Sequence, residues 1–237
     1  MTSFDISEWE QADQLIDLNL PLPEEHRGRF DVVLEAGTLQ HVFHLPQALA
    51  NIHELLAVGG RVIHGMSTSN NHVDHGFYMF SPTLFHDFHT ANGYRVEYEY
   101  VFEFRPYWYR SRFRSPPSRI YRYTPGCLDH LSYGGFADQQ LAIFMVATKT
   151  AQSRADVIPQ QSFFGAFWEQ ERRAARSATG RAGAGEQASL RDRLADRLWP
   201  HFRRSPWLLD LFLLWKRVRR WVVRRLPRRM PPLVARY

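Results

Sequence analysis

The chain has 237 residues, 44% of them apolar and 14% aromatic, which is ample for one sizeable globular domain with an appendage and excludes a disordered chain. Its formal net charge of +6 is unevenly divided: residues 1–150 hold 11 Lys and Arg against 17 Asp and Glu, whereas residues 151–237 hold 19 against 7, so the basicity belongs to the tail. Cys127, the single cysteine, excludes an internal disulfide and fits a reducing, cytoplasmic compartment; Met1 opens no basic, apolar secretory signal, and no apolar run approaches the roughly 20 residues of a membrane span.

Met1–Ile6 reads as the end of a strand and Gln14-Leu15-Ile16 as the core of the next, before Pro21 and Pro23 break the chain. Phe30-Asp-Val-Val-Leu34 is short and rich in β-formers, as expected of a strand buried on both faces. A proline at the first helical position opens a helix after Leu45; Ala48, Leu49, Ile52, Leu55 and Leu56 recur at helical spacing, and Gly59-Gly60 are expected to end it. Arg61–Met66 is the next strand. Ser81-Pro82 then opens a helix with Phe85 and Phe88 on one face and Asn92-Gly93 as its stop. Val96–Phe104 alternates apolar and acidic residues and Leu141–Ala147 is a continuous apolar run, so both read as strands. The segment between them, Arg105–Gly135, is too long for a plain hairpin. Phe163–Trp168 is a small aromatic cluster. Residues 172–189 are low in complexity and read as a linker, within an extension that spans 151–189; from Leu190 to Tyr237 the pattern is helical and basic.

The text Phe30-Asp-Val-Val-Leu-Glu-Ala-Gly-Thr-Leu-Gln-His-Val42, followed after a helix by Leu55-Leu-Ala-Val-Gly-Gly60, resembles the class I S-adenosylmethionine-dependent methyltransferases of the type 11-like kind. The resemblance implies an α/β domain over residues 1–150 with a doubly wound, mostly parallel, Rossmann-like sheet whose final two strands are antiparallel, and it puts ligands at the carboxyl ends of the strands. Those enzymes open with a strand and a glycine-rich G-x-G-x-G loop that holds the methionine end of the cofactor. This chain has no such loop, which implies a domain truncated at its N-terminus, missing a central strand, with weak or absent binding of S-adenosylmethionine. The implied function is methyl transfer to a small-molecule or lipid-linked acceptor. The alternative is a non-catalytic relative, acting as a binding or regulatory subunit beside a partner chain or a second copy, or as a membrane-peripheral scaffold.

Residue by residue, the resemblance makes Asp5 the ligand of the ribose and puts Asp17, with the Leu18 amide, beside the adenine ring. Both aspartates read equally well as a solvated turn and a helix cap. Glu35 and Gly37 would end the next strand against the cofactor. Many relatives carry a Leu-Glu-His-Val tetrad after that strand; here it stands as Leu39-Gln40-His41-Val42, which leaves His41 as the polar candidate for catalysis, against the commoner role of a structural histidine.

Methyl transfer from a sulfonium needs alignment, exclusion of water and sometimes a base, so the site need hold no triad. Asn70–Tyr78 overhangs a strand's carboxyl end and offers His75 as general base and Tyr78 as an acceptor-binding residue, against a loop packed by its own aromatics. His72 and His75 flank Asp74, a spacing too weak outside a helix to imply a metal. Between Arg105 and Tyr123 six arginines interleave with six aromatic residues, and Arg105, Arg110 and Arg112 are candidate ligands of an anionic or ring-bearing acceptor. The same arginines would also offset the acidic body; no nucleic-acid motif accompanies them. Residues 207–229 carry Leu211, Leu214, Trp215, Val218 and Val222 on one helical stripe with Lys216, Arg217, Arg219, Arg220 and Arg224 largely off it. A helix of this kind lies in an anionic membrane interface or docks on protein.

Overall fold

The computed structural model describes residues 1–104, 118–132, 134–162, 164, 165, 168, 214 and 230–236. The chain divides into two compact units, Met1–Ala166 together with Met230–Tyr237, and Phe167–Arg229. In the second unit the described residues are Trp168 and Leu214, both helical and exposed. The low-complexity linker, nearly all of the basic stripe, and the candidate ligands Arg105, Arg110 and Arg112 lie outside the described residues.

The first unit is mixed α/β. Strands β1 (Phe4–Asp5) and β2 (Gln14–Leu15) form a small parallel sheet. The main sheet contains β3 (Phe30–Glu35), β4 (Leu56–Thr68), β5 (Arg95–Phe104), β6 (Arg119–Arg122), β7 (Gln140–Thr148) and β8 (Leu233–Arg236) in the order β3-β4-β7-β5-β6-β8. Among these described strands the β3–β4 pair alone is parallel, and the other four pairings are antiparallel. The sheet is therefore mostly antiparallel, where a mostly parallel one was expected. The cause is the apolar run Leu141–Ala147: as β7 it takes the interior position between β4 and β5, where both its edges are paired and Ile143, Met145 and Ala147 are buried. The expected antiparallel partnership of the two segments holds, with registers running from Arg95↔Thr148 to Phe104↔Gln140.

Helices α1 (Leu45–Leu55) and α2 (Pro82–Ala91) share one side of the sheet, since Ala48, Leu49 and Ile52 of α1, Phe85 and Phe88 of α2, and Val62, Ile143 and Met145 of the strands form one buried cluster. The opposite face carries Val32, Leu34 and Tyr98, which are 53%, 65% and 52% exposed. Phe30–Leu34 is thus buried on one face and open on the other, and the described helices cover one face of the sheet where a doubly wound fold has both covered.

Three local outcomes differ from the sequence reading for identifiable reasons. First, Gly59 and Gly60 do not end α1. The helix stops at Leu55, its last carbonyls taken by Lys149, whose Nζ donates to His53 O and Leu56 O at 2.7 Å each, and β4 begins at once. Gly60 is a glycine because a Cβ there would stand 2.9 Å from Ala57 O and 3.0 Å from Phe30 O, where β3 and β4 come together at a register shift. Second, part of the long loop is β6, paired with β5. Third, the end of the basic tail is β8, since Pro231-Pro232 cannot continue a helix and Leu233–Arg236 adds to the edge of β6. The start of the extension is also docked: Asn92 exchanges hydrogen bonds with Val157, and Ser162 N donates to Asp87 Oδ2 at 2.8 Å.

Asn51, fully buried on α1, ties the segment after β2 to the body. Its Nδ2 donates to Leu18 O (3.1 Å) and Leu20 O (2.8 Å), and its Oδ1 accepts from Leu22 N (3.1 Å). Replacing Asn51 with Leu strands three backbone groups, so Asn51→Leu should lower the unfolding free energy by about 3 kcal/mol, read as a lower urea midpoint at unchanged slope. An unchanged midpoint would show that the 18–22 segment contributes nothing to the folded state.

Candidate functional site

The carboxyl ends of β3 and β4 lie side by side because the two strands are parallel and each runs into a loop on the same edge. Glu35, the last residue of β3, organises that edge. One oxygen, Oε1, accepts from the backbone N–H of Gly37 (2.8 Å), Thr38 (2.6 Å) and Leu39 (3.1 Å), closing a tight turn into the short 3-10 segment Leu39–His41. The other, Oε2, accepts from His64 Nδ1 and Ser67 Oγ, both at 3.1 Å. Burial opposes the carboxylate charge, but the His64 hydrogen bond and charge, with the Leu39 and Thr38 N–H groups, outweigh it and hold Glu35 below the ordinary carboxylate range. Both its oxygens serve the fold, so Glu35 shapes the turn and has none left for a ligand.

The chain of polar contacts continues inward. His64 Nε2 lies 2.9 Å from His89 Nε2 on α2, both rings fully buried. That contact requires one proton between the two nitrogens, so at most one of the rings is an imidazolium. His89 is held neutral: burial, then the neighbouring His64 and His53, push it well below the usual histidine value. Its Nδ1 has no hydrogen-bond partner among the described residues. Nearby, His53 Nδ1 lies 2.7 Å from the Tyr94 hydroxyl, and the ring is pushed down to about 4 by burial and by Lys149.

On the outer side of the turn the chain folds over Gln40. The Gln40 carbonyl accepts from Phe77 N (2.7 Å) and Tyr78 N (3.4 Å), and the Tyr78 hydroxyl donates to Phe43 O (2.7 Å), so the overhang Asn70–Tyr78 is stapled to the loop that precedes α1. Gly76 packs so tightly there that a Cβ would meet Gln40 O at 2.7 Å. Beneath the overhang is a cavity of about 400 Å³, with Gly37, Gln40, Met66, His72, His75 and Phe104 among its walls. Backbone strain gathers at this place: Met66 (φ 60°), Asn71 (φ 60°) and Asp74 (φ 62°) are three of five described non-glycine residues in the left-handed region.

The sequence candidates fall into place unevenly. His75 and Gly37 line the cavity, and the exposed His41 ring meets His75 edge-on at 5.3 Å. Tyr78 serves as a staple through its hydroxyl and stacks on Phe80. Asp5 and Asp17 each use one oxygen in a turn, Asp5 Oδ1 accepting from Ser7 N and Asp17 Oδ1 from Asn19 N and Nδ2, all at 2.8 Å. Leu18 puts its side chain into the core, and Asn19 Oδ1 accepts from His44 N at 2.9 Å, which brings the Asp17 turn beside the start of α1 on this same edge. The roles of Gln40 and of the buried pair His64–His89 were missed; the signal available for His64 was a polar residue inside the apolar strand Arg61–Met66, and for Gln40 its departure from the Leu-Glu-His-Val tetrad. Among the described residues no group of three or more His, Cys, Asp or Glu is placed to hold a metal ion, and no helix is long and apolar enough to cross a membrane.

No protein-family model matches this sequence, and no curated protein matches it. The site is therefore read from its own chemistry.

The buried relay makes stability depend on pH. In the unfolded chain His89 takes up a proton near pH 6.5, while in the folded protein its pKa is depressed, so the unfolded state binds more protons and stability falls as pH drops below about 6.5. Glu35, depressed in the fold, adds a second loss at lower pH as its carboxylate protonates. Urea unfolding at pH 7.5 and 5.5 should show a loss from His89 of about 1 kcal/mol. His89→Leu should reduce that difference even though it weakens the protein at pH 7.5; an undiminished difference would place the acid sensitivity elsewhere.

Proposed function

We propose that the chain is an S-adenosylmethionine-dependent methyltransferase-like protein whose acceptor enters the cavity under the Asn70–Tyr78 overhang. The observation that carries this reading is the cavity itself: it stands at the carboxyl edge of the parallel pair β3–β4, with His75 in its wall and Gly37 at its floor. The strand pairing fits the same family. β3 and β4 are parallel and joined through α1, and β5 and β7 pair antiparallel, as the resemblance implies for the last two strands. The doubly wound, methyltransferase-type description of the sheet is part of this proposal.

Several residues fit the cofactor. Asp5 and Asp17 each keep one carboxylate oxygen beyond their turns, available to ribose hydroxyls and to the adenine end. Gly37, at φ +90°, sits in a conformation that strains any larger residue, and a Cβ there would press on Gln40 Nε2 at 3.0 Å. Glu35 is excluded from this role by its five hydrogen bonds. When bound, S-adenosylmethionine supplies an activated methyl group. The protein's part is to align the acceptor, to keep water out through the stapled overhang, and to take the acceptor's proton at the His75 ring. Tyr78 fixes the overhang, and His41 packs edge-on against the base.

Calorimetric titration of S-adenosylmethionine into the full chain should show weak binding, in the absence of a glycine-rich loop in this sequence, and Asp5→Ala should weaken it by about 1–3 kcal/mol through lost charge-assisted hydrogen bonds. With an acceptor in hand, His75→Ala should lower turnover by about a hundredfold or more while leaving cofactor affinity nearly unchanged. A well-folded chain that binds no S-adenosylmethionine at any concentration would overturn methyl transfer in favour of a non-catalytic binding subunit.

A further inference from the structure

We infer that a second cavity, between α2 and the docked extension, is a binding site for an aliphatic ammonium ion held by the carboxylate of Asp87. The inference goes beyond the methyltransferase reading and does not depend on it, since this cavity shares none of its described wall residues with the one under the overhang. The extension is tied back at two points, by Asn92 to Val157 and by Ser162 N to Asp87 Oδ2. Between the ties the chain leaves a space of about 260 Å³ beside α2, walled by Ser81, Thr83, Leu84, Asp87, Pro159 and Gln161.

Asp87 is the group that calls for a cation. It is 7% exposed, and Glu35, also buried, is 5% exposed. Glu35 draws five donors, whereas Asp87 receives one, the Ser162 N–H at 2.8 Å. Among the described residues Asp87 Oδ1 has no hydrogen-bond partner and no Lys, Arg or His pairs with it; the adjacent His86 spends its Nδ1 on Glu99, at 2.9 and 3.0 Å. A buried carboxylate so short of partners needs a counter-ion or water to complete it. Its charge also reaches its neighbours: burial and then Asp87 raise Glu99 against the pull of His86, and burial, with Glu99 and Asp87 adding to it, pushes Tyr123 up to about 12. The rest of the wall sets the class of cation. A lone carboxylate is too few ligands for a divalent metal ion, and no group of three or more His, Cys, Asp or Glu is placed to hold one among the described residues. Ser81 Oγ, which donates to Thr83 Oγ1 at 3.2 Å, keeps its lone pairs for an ammonium N–H, and Leu84 and Pro159 offer apolar surface to a short alkyl chain. Gln161 presents either end of its amide and selects nothing. The strongest competing class is an anion at the first turn of α2, where Ser81 makes no side-chain cap bond. That turn carries a partial positive charge, however, while Asp87 sets a full negative one in the same wall.

The test is a nuclear magnetic resonance titration of the full, isotope-labelled chain at constant pH with butylammonium, butanol and butyrate, read at the Ser162 N–H, which reports on Asp87 directly. Butylammonium should shift that signal saturably and bind at least about tenfold more tightly than butanol, which has nearly the same shape without the charge, and butyrate should leave the signal unmoved. Asp87→Asn keeps an acceptor for Ser162 N and removes the charge, so it should weaken butylammonium binding by about tenfold and leave butanol binding unchanged. If that variant does not fold, the comparison of the three probes on the native chain decides alone. No shift with butylammonium, equal binding of butanol, a shift with butyrate, or undiminished butylammonium binding by Asp87→Asn would each overturn the inference.

Discussion

The folded edge of this sheet depends on one buried carboxylate. Moving an isolated carboxylate out of water costs several kcal/mol even after relaxation, so Glu35 is tolerable only because five donors converge on it. Hydrogen bonds to a charged group contribute about 1.5–3 kcal/mol each, enough together to offset the burial. Those donors come from two places, the turn after β3 and the strand β4, and His64 carries the contact on to His89 of the helix α2. A single side chain thus fixes how the turn, the strand and the helix meet, and each of them contributes to the cavity or to the layer beneath it.

A second hub, Gln40, works through its backbone. Its carbonyl holds Phe77 and Tyr78, its main chain lies against Gly76, and its side chain leans on Gly37. The overhang is therefore an arched loop pinned at several points, and strain at Asn71 and Asp74 is the conformational cost of arching it. Rigidity of this kind would suit the alignment that the proposed methyl transfer needs, where a displacement of about 1 Å is enough to lose much of the rate.

Local signals were legible in the sequence where they were strong. The proline and apolar spacing of α1, the Ser81-Pro82 start and Asn92-Gly93 stop of α2, and the apolar run of β7 all appear at or within a residue or two of their expected places. What was not legible depended on distant partners. Gly59-Gly60 look like a helix stop, yet Lys149, far along the chain, caps α1, and the glycines answer to a crossing with β3. β6 and β8 are short, and only their pairing with each other and with β5 makes them strands. The histidine pair was invisible for the same reason: His64 and His89 meet through the packing of α2 on β4, which no spacing in the sequence encodes. Among the sequence candidates, His75 and Gly37 could be found because a loop after a strand's carboxyl end is where ligands meet such sheets, whereas the inward turn of Glu35 follows from backbone donors that a sequence does not display.

The two polar systems at this edge divide the work, and the turn Gly37–Leu39 is where they join. Its three N–H groups, which would otherwise form a cradle for an anion, all point at Glu35. With those donors spent inside the protein, the turn offers a ligand no free N–H cradle. What faces the cavity is then the side chains of Gln40, His72, His75 and Phe104. The buried chain of Glu35, His64 and His89 thus holds the edge from within, and the overhang stapled through Gln40, Phe77 and Tyr78 holds it from without.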